Sequence, residues 1–199
     1  NKLRKNIYYF PDAAIITALI ISQVLAQNLQ WYVPTIAASV AILAKHFVKI
    51  GNRHIFNPAN LGIVAAVFLF GTFDEWWGAS SLLVLALAGI YIIGFKMRRI
   101  YLPAIFLAIY AVLGGIAGEQ NIIDRLISTY SLWFFALIML PEPQTSPLAP
   151  AGVAQYAVLT AIFVIIFETF NIRAPLNLGL FFANLTVPVI NYFTFLKKG

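Results

Sequence analysis

The chain consists of apolar runs of about 14 to 20 residues, separated by short polar or proline-containing segments. A helix that crosses a bilayer upright needs about 20 apolar residues. The pattern therefore predicts an all-α, polytopic membrane protein with about eight transmembrane or half-membrane helices. They are expected at residues 12–27, 31–49, 58–71, 80–97, 101–118, 127–141, 151–169 and 176–195. The third run is the shortest and is interpreted as a half-helix or a re-entrant segment.

Composition supports a membrane location for the whole chain. Hydrophobic residues make up 61% of the sequence and charged residues only 10%, against about half and about a quarter in soluble domains. We therefore expect a single membrane domain over residues 1–199. The chain has no cysteine, which excludes disulfides, thiolate metal sites and iron–sulfur ligands from this chain. No catalytic constellation and no metal-ligand spacing is recognised, so no catalytic or metal-binding residue is predicted.

The net charge of +6 is explained by membrane orientation and not by a nucleic-acid partner. If the N-terminus is cytoplasmic, 11 of the 13 Lys and Arg residues fall on the inner side, and only Arg125 and Arg173 fall outside. Most acidic residues then lie outside. The positive-inside rule predicts this asymmetry for a bacterial-type cytoplasmic membrane protein with both termini in the cytoplasm.

Two polar breaks divide the chain into similar halves, approximately 1–99 and 100–199. Each half has two apolar runs, a proline-rich break and two more runs. The breaks read "NRHIFNPAN" at residues 52–60 and "LPEPQTSPLAP" at residues 140–150. Internal repeats with interrupted helices are typical of transporter-like folds, in which the interruptions meet at a binding site.

The order of these motifs resembles a known family. The segments "FNPAN", "GFKMRRIYLPAIFLA", "FFALIMLPEPQTSP" and "LNLGLFFANLTVPVIN" are similar to the D-type membrane component of the Rnf electron-transport complex and the B-type component of the sodium-translocating NADH:quinone reductase (Nqr). The resemblance implies a urea-channel-like fold, an intramembrane riboflavin held without a covalent bond, and FMN attached to a threonine in an outward-facing loop. It also implies partner subunits in a membrane redox complex, with quinone as a further partner.

The candidate cofactor-binding residues lie in and around the two breaks. The first break supplies Phe56, Asn57, Pro58 and Asn60, the second Glu142, Thr145 and Ser146, and the last helix Asn184. Amides, hydroxyls and a carboxylate could bind the polar edge of a flavin, and aromatic side chains could cover its ring. Asn57 and Pro58 also fit an N-cap followed by proline at the first helical position. Asn184 also fits an interhelical hydrogen bond.

A covalent flavin is the alternative mode of attachment. The family's covalent FMN signature ends in a threonine, and the nearest match here is "DEWWGAS", with Ser80 in the threonine position.

The sequence thus predicts a non-catalytic electron-transfer subunit that binds riboflavin or FMN noncovalently in an oxidoreductase complex, with ion coupling as an additional property. The alternative is a solute or ion channel, or a structural subunit, that has the same fold without a redox cofactor.

Overall fold

The computed structural model describes residues 12–80 and 99–196, and their side chains over 13–79 and 99–194. The predicted helix at 80–97 and the Ser80 side chain lie outside the described parts. The elements that position the site, in chain order, are α1 (Asp12–Val24), α2 (Tyr32–Phe47), β1 (Lys49–Ile50), β2 (Arg53–His54), α3 (Pro58–Phe70), a 3₁₀ turn (Trp77–Ser80), α4 (Tyr101–Ile116), α5 (Ile122–Ser128), α6 (Tyr130–Phe134) with a π-helical continuation (Phe135–Met139), α7 (Pro150–Thr169) and α8 (Pro175–Leu196).

Charged residues gather at two opposite ends of the helices. One region contains Lys45, Lys49, Arg53, Arg99 and the second break, and we call it the basic end. There, Arg53 and Arg99 donate hydrogen bonds to Ser146. The acidic end contains Asp74, Glu75, Glu119 and Asp124, with Glu75 N donating to Val24 O at 2.9 Å. This separation agrees with the predicted charge asymmetry. The side of the membrane that each end faces stays a prediction.

Two described helices, α7 and α8, are long and apolar enough to cross a membrane, and α5 with α6 and its continuation makes a third if the bent pair is one span. α1 to α4 are apolar but have only 13 to 16 residues each. The predicted number of about eight spans and the two-repeat organisation therefore stay predictions.

Close helix packing depends on glycine at two positions. A Cβ at Gly62 in α3 would lie 2.4 Å from the backbone oxygen of Ala37 in α2. A Cβ at Gly179 in α8 would lie 2.4 Å from a methyl group of Val164 in α7. Small residues of this kind let membrane helices approach each other closely.

Two local structures differ from the sequence-based expectation. The run at 31–49 ends in a short antiparallel hairpin, β1–β2, because Gly51 adopts φ +60° and makes a tight turn possible. The run at 127–141 is not one straight helix, since α5 and α6 meet at a bend of 68°. The indole nitrogen of Trp133 donates to Leu126 O at 2.6 Å across this bend, so a backbone acceptor at the bend is satisfied.

Candidate functional site

The two breaks meet at a cavity of about 350 Å³ near the basic end. α1 contributes Thr17 and Ile20, and α2 contributes Lys45. The start of α3 supplies Asn57 and Pro58, the π-helical segment supplies Leu137, and the second break supplies Glu142 and Pro143. Most of the wall is apolar, with an ammonium, an amide and a carboxyl group as its principal polar groups. An apolar cavity with a few converging polar groups is the usual form of a small-molecule site.

Asn57 both caps the start of α3 and joins it to the π-helical segment before the second break. Its side-chain oxygen accepts from the backbone N of Asn60 at 3.0 Å, and Pro58 occupies the first helical position, which confirms the predicted cap. The Asn57 amide nitrogen also donates to Met139 O at 3.2 Å. Asn57 is only 4% exposed, so these hydrogen bonds form in a poorly solvated environment.

Glu142 supplies the carboxyl group of the cavity from the second break, beyond the end of the π-helical segment. The Thr145 hydroxyl donates to its Oε2 at 3.4 Å. Burial raises the pKa of Glu142 to about 7, although the charge of Lys45 and the hydrogen bond from Thr145 act in the opposite direction. Near neutral pH this group can therefore either accept or donate a hydrogen bond.

The other predicted site residues do not line this cavity. Phe56 stacks on Phe181 with ring centroids 4.6 Å apart. Ser146 is fully buried and binds Arg53 and Arg99. Asn184 accepts from the Tyr156 hydroxyl at 2.7 Å, which confirms the predicted interhelical bond between α7 and α8. A ligand role for these residues stays a prediction.

A row of amides extends from the cavity towards the acidic end. Asn60 Nδ2 donates to Asn177 O at 3.0 Å, and Asn177 Nδ2 donates to Asp74 Oδ2 at 2.9 Å. These bonds fix both amide orientations. The side-chain oxygens of Asn60 and Asn177 are fully buried and have no hydrogen-bond partner among the described residues. Unsatisfied buried acceptors are rare, and each favours a bound hydrogen-bond donor.

Sequence reasoning missed Lys45 and Asn177 as members of this region. Asn177 follows Pro175 at the start of α8, and an amide inside an apolar run was the available signal. Lys45 was assigned only to membrane orientation. Its place in the cavity depends on how α2 packs against α3, which spacing along the chain does not reveal.

A smaller cavity of about 180 Å³ lies at the acidic end. Asp74, Tyr110, Arg125 and Glu168 line it. Arg125 Nη2 contacts Glu168 Oε1 at 2.9 Å, and the Tyr110 hydroxyl donates to Glu168 at 3.0 Å. Burial raises the pKa of Asp74, while hydrogen bonds from Trp76 and Asn177 act in the opposite direction.

Apolar helices, a broken-helix cavity and charged ends define a polytopic membrane protein with a ligand-sized cavity. A sequence model described as the NQR2, RnfD, RnfE family matches residues 68–198, which is well over half of the chain. The chain therefore belongs to the NQR2, RnfD, RnfE family. This is the family of the Rnf and Nqr membrane subunits, and membership supports a role as one subunit of a multi-subunit membrane redox complex.

The family match covers the second break but begins after the first, so Asn57 and Asn60 lie outside it. No curated protein matches the chain.

Proposed function

We propose that this chain is an electron-transfer subunit that binds riboflavin or FMN noncovalently in the cavity between the two breaks. The observation that carries the proposal is the convergence of Asn57 and Glu142 on one largely apolar cavity. The hydrogen bond from Asn57 to Met139 O joins the first break to the end of the π-helical segment that leads into the second break. Family membership supports the redox role, with other subunits or quinone as electron partners.

The residues of the cavity suit the chemistry of a flavin. A volume of about 350 Å³ lies within the usual range for small-molecule sites. Ile20 and Leu137 would contact the faces of a flat ring, while Lys45 would donate to a carbonyl at its edge. Glu142 would accept from a ring N–H or a ribityl hydroxyl when ionised, and would donate when protonated.

A bound flavin would supply one- and two-electron redox chemistry, which the side chains of this chain do not provide. The protein would position the ring and exclude water. A positive charge from Lys45 near the ring would favour its reduced, more negative form. Proton exchange would be available to Glu142, because its pKa of about 7 permits both protonation states near neutral pH.

The test is to purify the protein in mild detergent, denature it and quantify the released flavin by fluorescence and chromatography. Ile20→Trp would fill the cavity, whereas Leu19→Trp changes the neighbouring residue, which is 52% exposed. We expect flavin release from the wild type and Leu19→Trp, and several-fold less from Ile20→Trp. Equal flavin content in both variants, or none in the wild type, would refute the proposed site.

A denaturing gel viewed under ultraviolet light separates the two modes of attachment. A fluorescent protein band would indicate covalent flavin, and Ser80→Ala would then be the variant to examine. We expect no such band, because the proposed flavin is not covalently bound.

A solute or ion pathway is a second candidate, favoured by the row from Asn57 through Asn60 and Asn177 to Asp74. Polar groups in a row across a membrane protein are typical of permeation pathways. Flux of ions or small solutes into liposomes, together with absence of flavin, would favour this function over electron transfer. Asn177→Leu should then abolish the flux.

A further inference from the structure

A second cavity at the basic end, of about 170 Å³, lies between the β1–β2 hairpin and α8. Its polar side chains are Arg53, His54 and Asn191, while Ile50 and Pro188 are among its apolar walls. The cavity therefore combines a cation with an apolar surface. It is separate from the candidate flavin cavity, and its residues have no part in the proposed electron transfer.

Arg53 and Arg99 converge on the second break beside this cavity. Arg53 Nη2 donates to Ser146 O at 2.7 Å and also to Pro143 O. Arg99 Nη1 donates to the Ser146 hydroxyl. Two guanidinium groups are therefore held close together by contacts with one serine, and neutral oxygens are their hydrogen-bond acceptors.

The positive charge of this arrangement is not balanced within the described parts of the chain. The ion pairs among the described residues involve Arg125 only, and neither Arg53 nor Arg99 has a carboxylate within ion-pair distance there. Desolvation lowers the pKa of Arg53, and the charge of the nearby Arg99 lowers it further. A bound anion would reduce the repulsion between the two groups and would accept hydrogen bonds from Arg53 in place of the water lost on burial.

We propose that the Arg53 cavity binds a phosphate group at the membrane surface. Guanidinium groups match the oxygens of phosphate in charge and geometry. Phe47, just before the hairpin, and Ile50, within it, are 78% and 59% exposed and suit contact with lipid beside the head groups. Basic cavities between membrane helices bind anionic lipid head groups by the same chemistry.

Two sources could supply the phosphate, namely an anionic phospholipid and the terminal phosphate of FMN. The apolar walls formed by Ile50 and Pro188 favour a phospholipid, because glycerol and acyl groups would cover them. The experiment uses phosphatidylglycerol, FMN and inorganic phosphate as probes, with riboflavin as the unphosphorylated counterpart of FMN. The readout is the midpoint of thermal unfolding of the whole chain in neutral detergent, together with bound lipid counted by native mass spectrometry.

Two glutamate variants make a matched pair. Ile50→Glu puts a negative charge in the wall of the cavity, whereas Phe47→Glu makes the same charge change at an exposed position outside it. We expect phosphatidylglycerol to raise the unfolding midpoint of the wild type, and Ile50→Glu to weaken its binding about fivefold more than Phe47→Glu does. Arg53→Lys keeps the charge but loses the fork of donors, and should also weaken binding.

Each outcome bears on the proposal. Stabilisation by FMN but not riboflavin, lost in Ile50→Glu, would support the site with flavin phosphate as its source. Equal effects of Ile50→Glu and Phe47→Glu would show unspecific surface attraction and overturn it, as would no response to any phosphate probe. Flavin in the larger cavity is measured separately, by its release on denaturation. The results for the phosphate site therefore neither support nor refute the proposed electron-transfer function.

Discussion

The Asn57 side chain makes two hydrogen bonds of different kinds, one within α3 and one to another part of the chain. Loss of an N-cap costs about 0.5–2 kcal/mol and a buried hydrogen bond about 1 kcal/mol. We expect Asn57→Ala to lower the free energy of unfolding by about 1–3 kcal/mol in denaturant titrations. Asn57→Ser should lose less, since serine keeps the cap but does not reach Met139. Equal losses in both variants would show that the cap has no separate effect.

The ionisation of Glu142 should make stability depend on pH. Its pKa is near 4.5 in the unfolded chain and about 7 in the folded protein. Between these values the folded state holds a proton that the unfolded state has released, so stability falls as pH rises from about 5 to 7. We expect thermal unfolding midpoints to fall over this range in the wild type. Glu142→Gln should flatten this part of the profile, and an unchanged slope in that variant would contradict the assignment.

The sequence predicted the contacts of some residues better than those of others. The cap at Asn57 is a local pattern, so four consecutive residues were enough to predict it. The inward position of Ser146, by contrast, depends on Arg53 and Arg99, which are 93 and 47 residues away along the chain. A hydroxyl near an acid in the sequence was therefore a poor guide to which side chains face the cavity.

Among the elements, the contact between α2 and α3 depends on the absence of a side chain at Gly62. A methyl group there would lie 2.4 Å from a backbone oxygen, which cannot rotate away. We expect Gly62→Ala to cost about 1–3 kcal/mol of unfolding free energy. Gly115→Ala in α4 is the control, because nothing lies within 4 Å of its Cβ position and alanine favours a helix. Similar stability of both variants would contradict close packing at Gly62.

The elements themselves were predicted best where the chain carries local signals. Pro58 and Pro150 each occupy a first helical position, and the predicted starts of α3 and α7 agree with them to within one residue. The bend between α5 and α6 falls at Ser128 and Thr129, at the start of the run at 127–141, and it was missed because these two hydroxyl residues were included in the apolar run. Direction changes inside such a run are determined by packing, and hydrophobic periodicity contains little information about them.

For the whole molecule, the separation of basic and acidic ends predicts a topology that two single cysteines can test. The chain contains no cysteine, so Asn52→Cys in the hairpin and Gln120→Cys at the acidic end would each carry the only thiol. Both positions are exposed. In intact cells, a membrane-impermeant maleimide should label Gln120→Cys, and should label Asn52→Cys only after lysis. The reverse pattern would invert the topology.

The amide row also has a consequence for biosynthesis. Asn60 and Asp74 are synthesised more than 100 residues before their partner Asn177, which lies near the start of α8. Until that helix leaves the ribosome, the Asn60 amide and the Asp74 carboxylate lie in or near the bilayer without this partner, which is energetically unfavourable. Nascent chains that stop short of α8 would therefore be prone to recognition and removal by membrane quality control, and insertion of α8 would supply the missing partner.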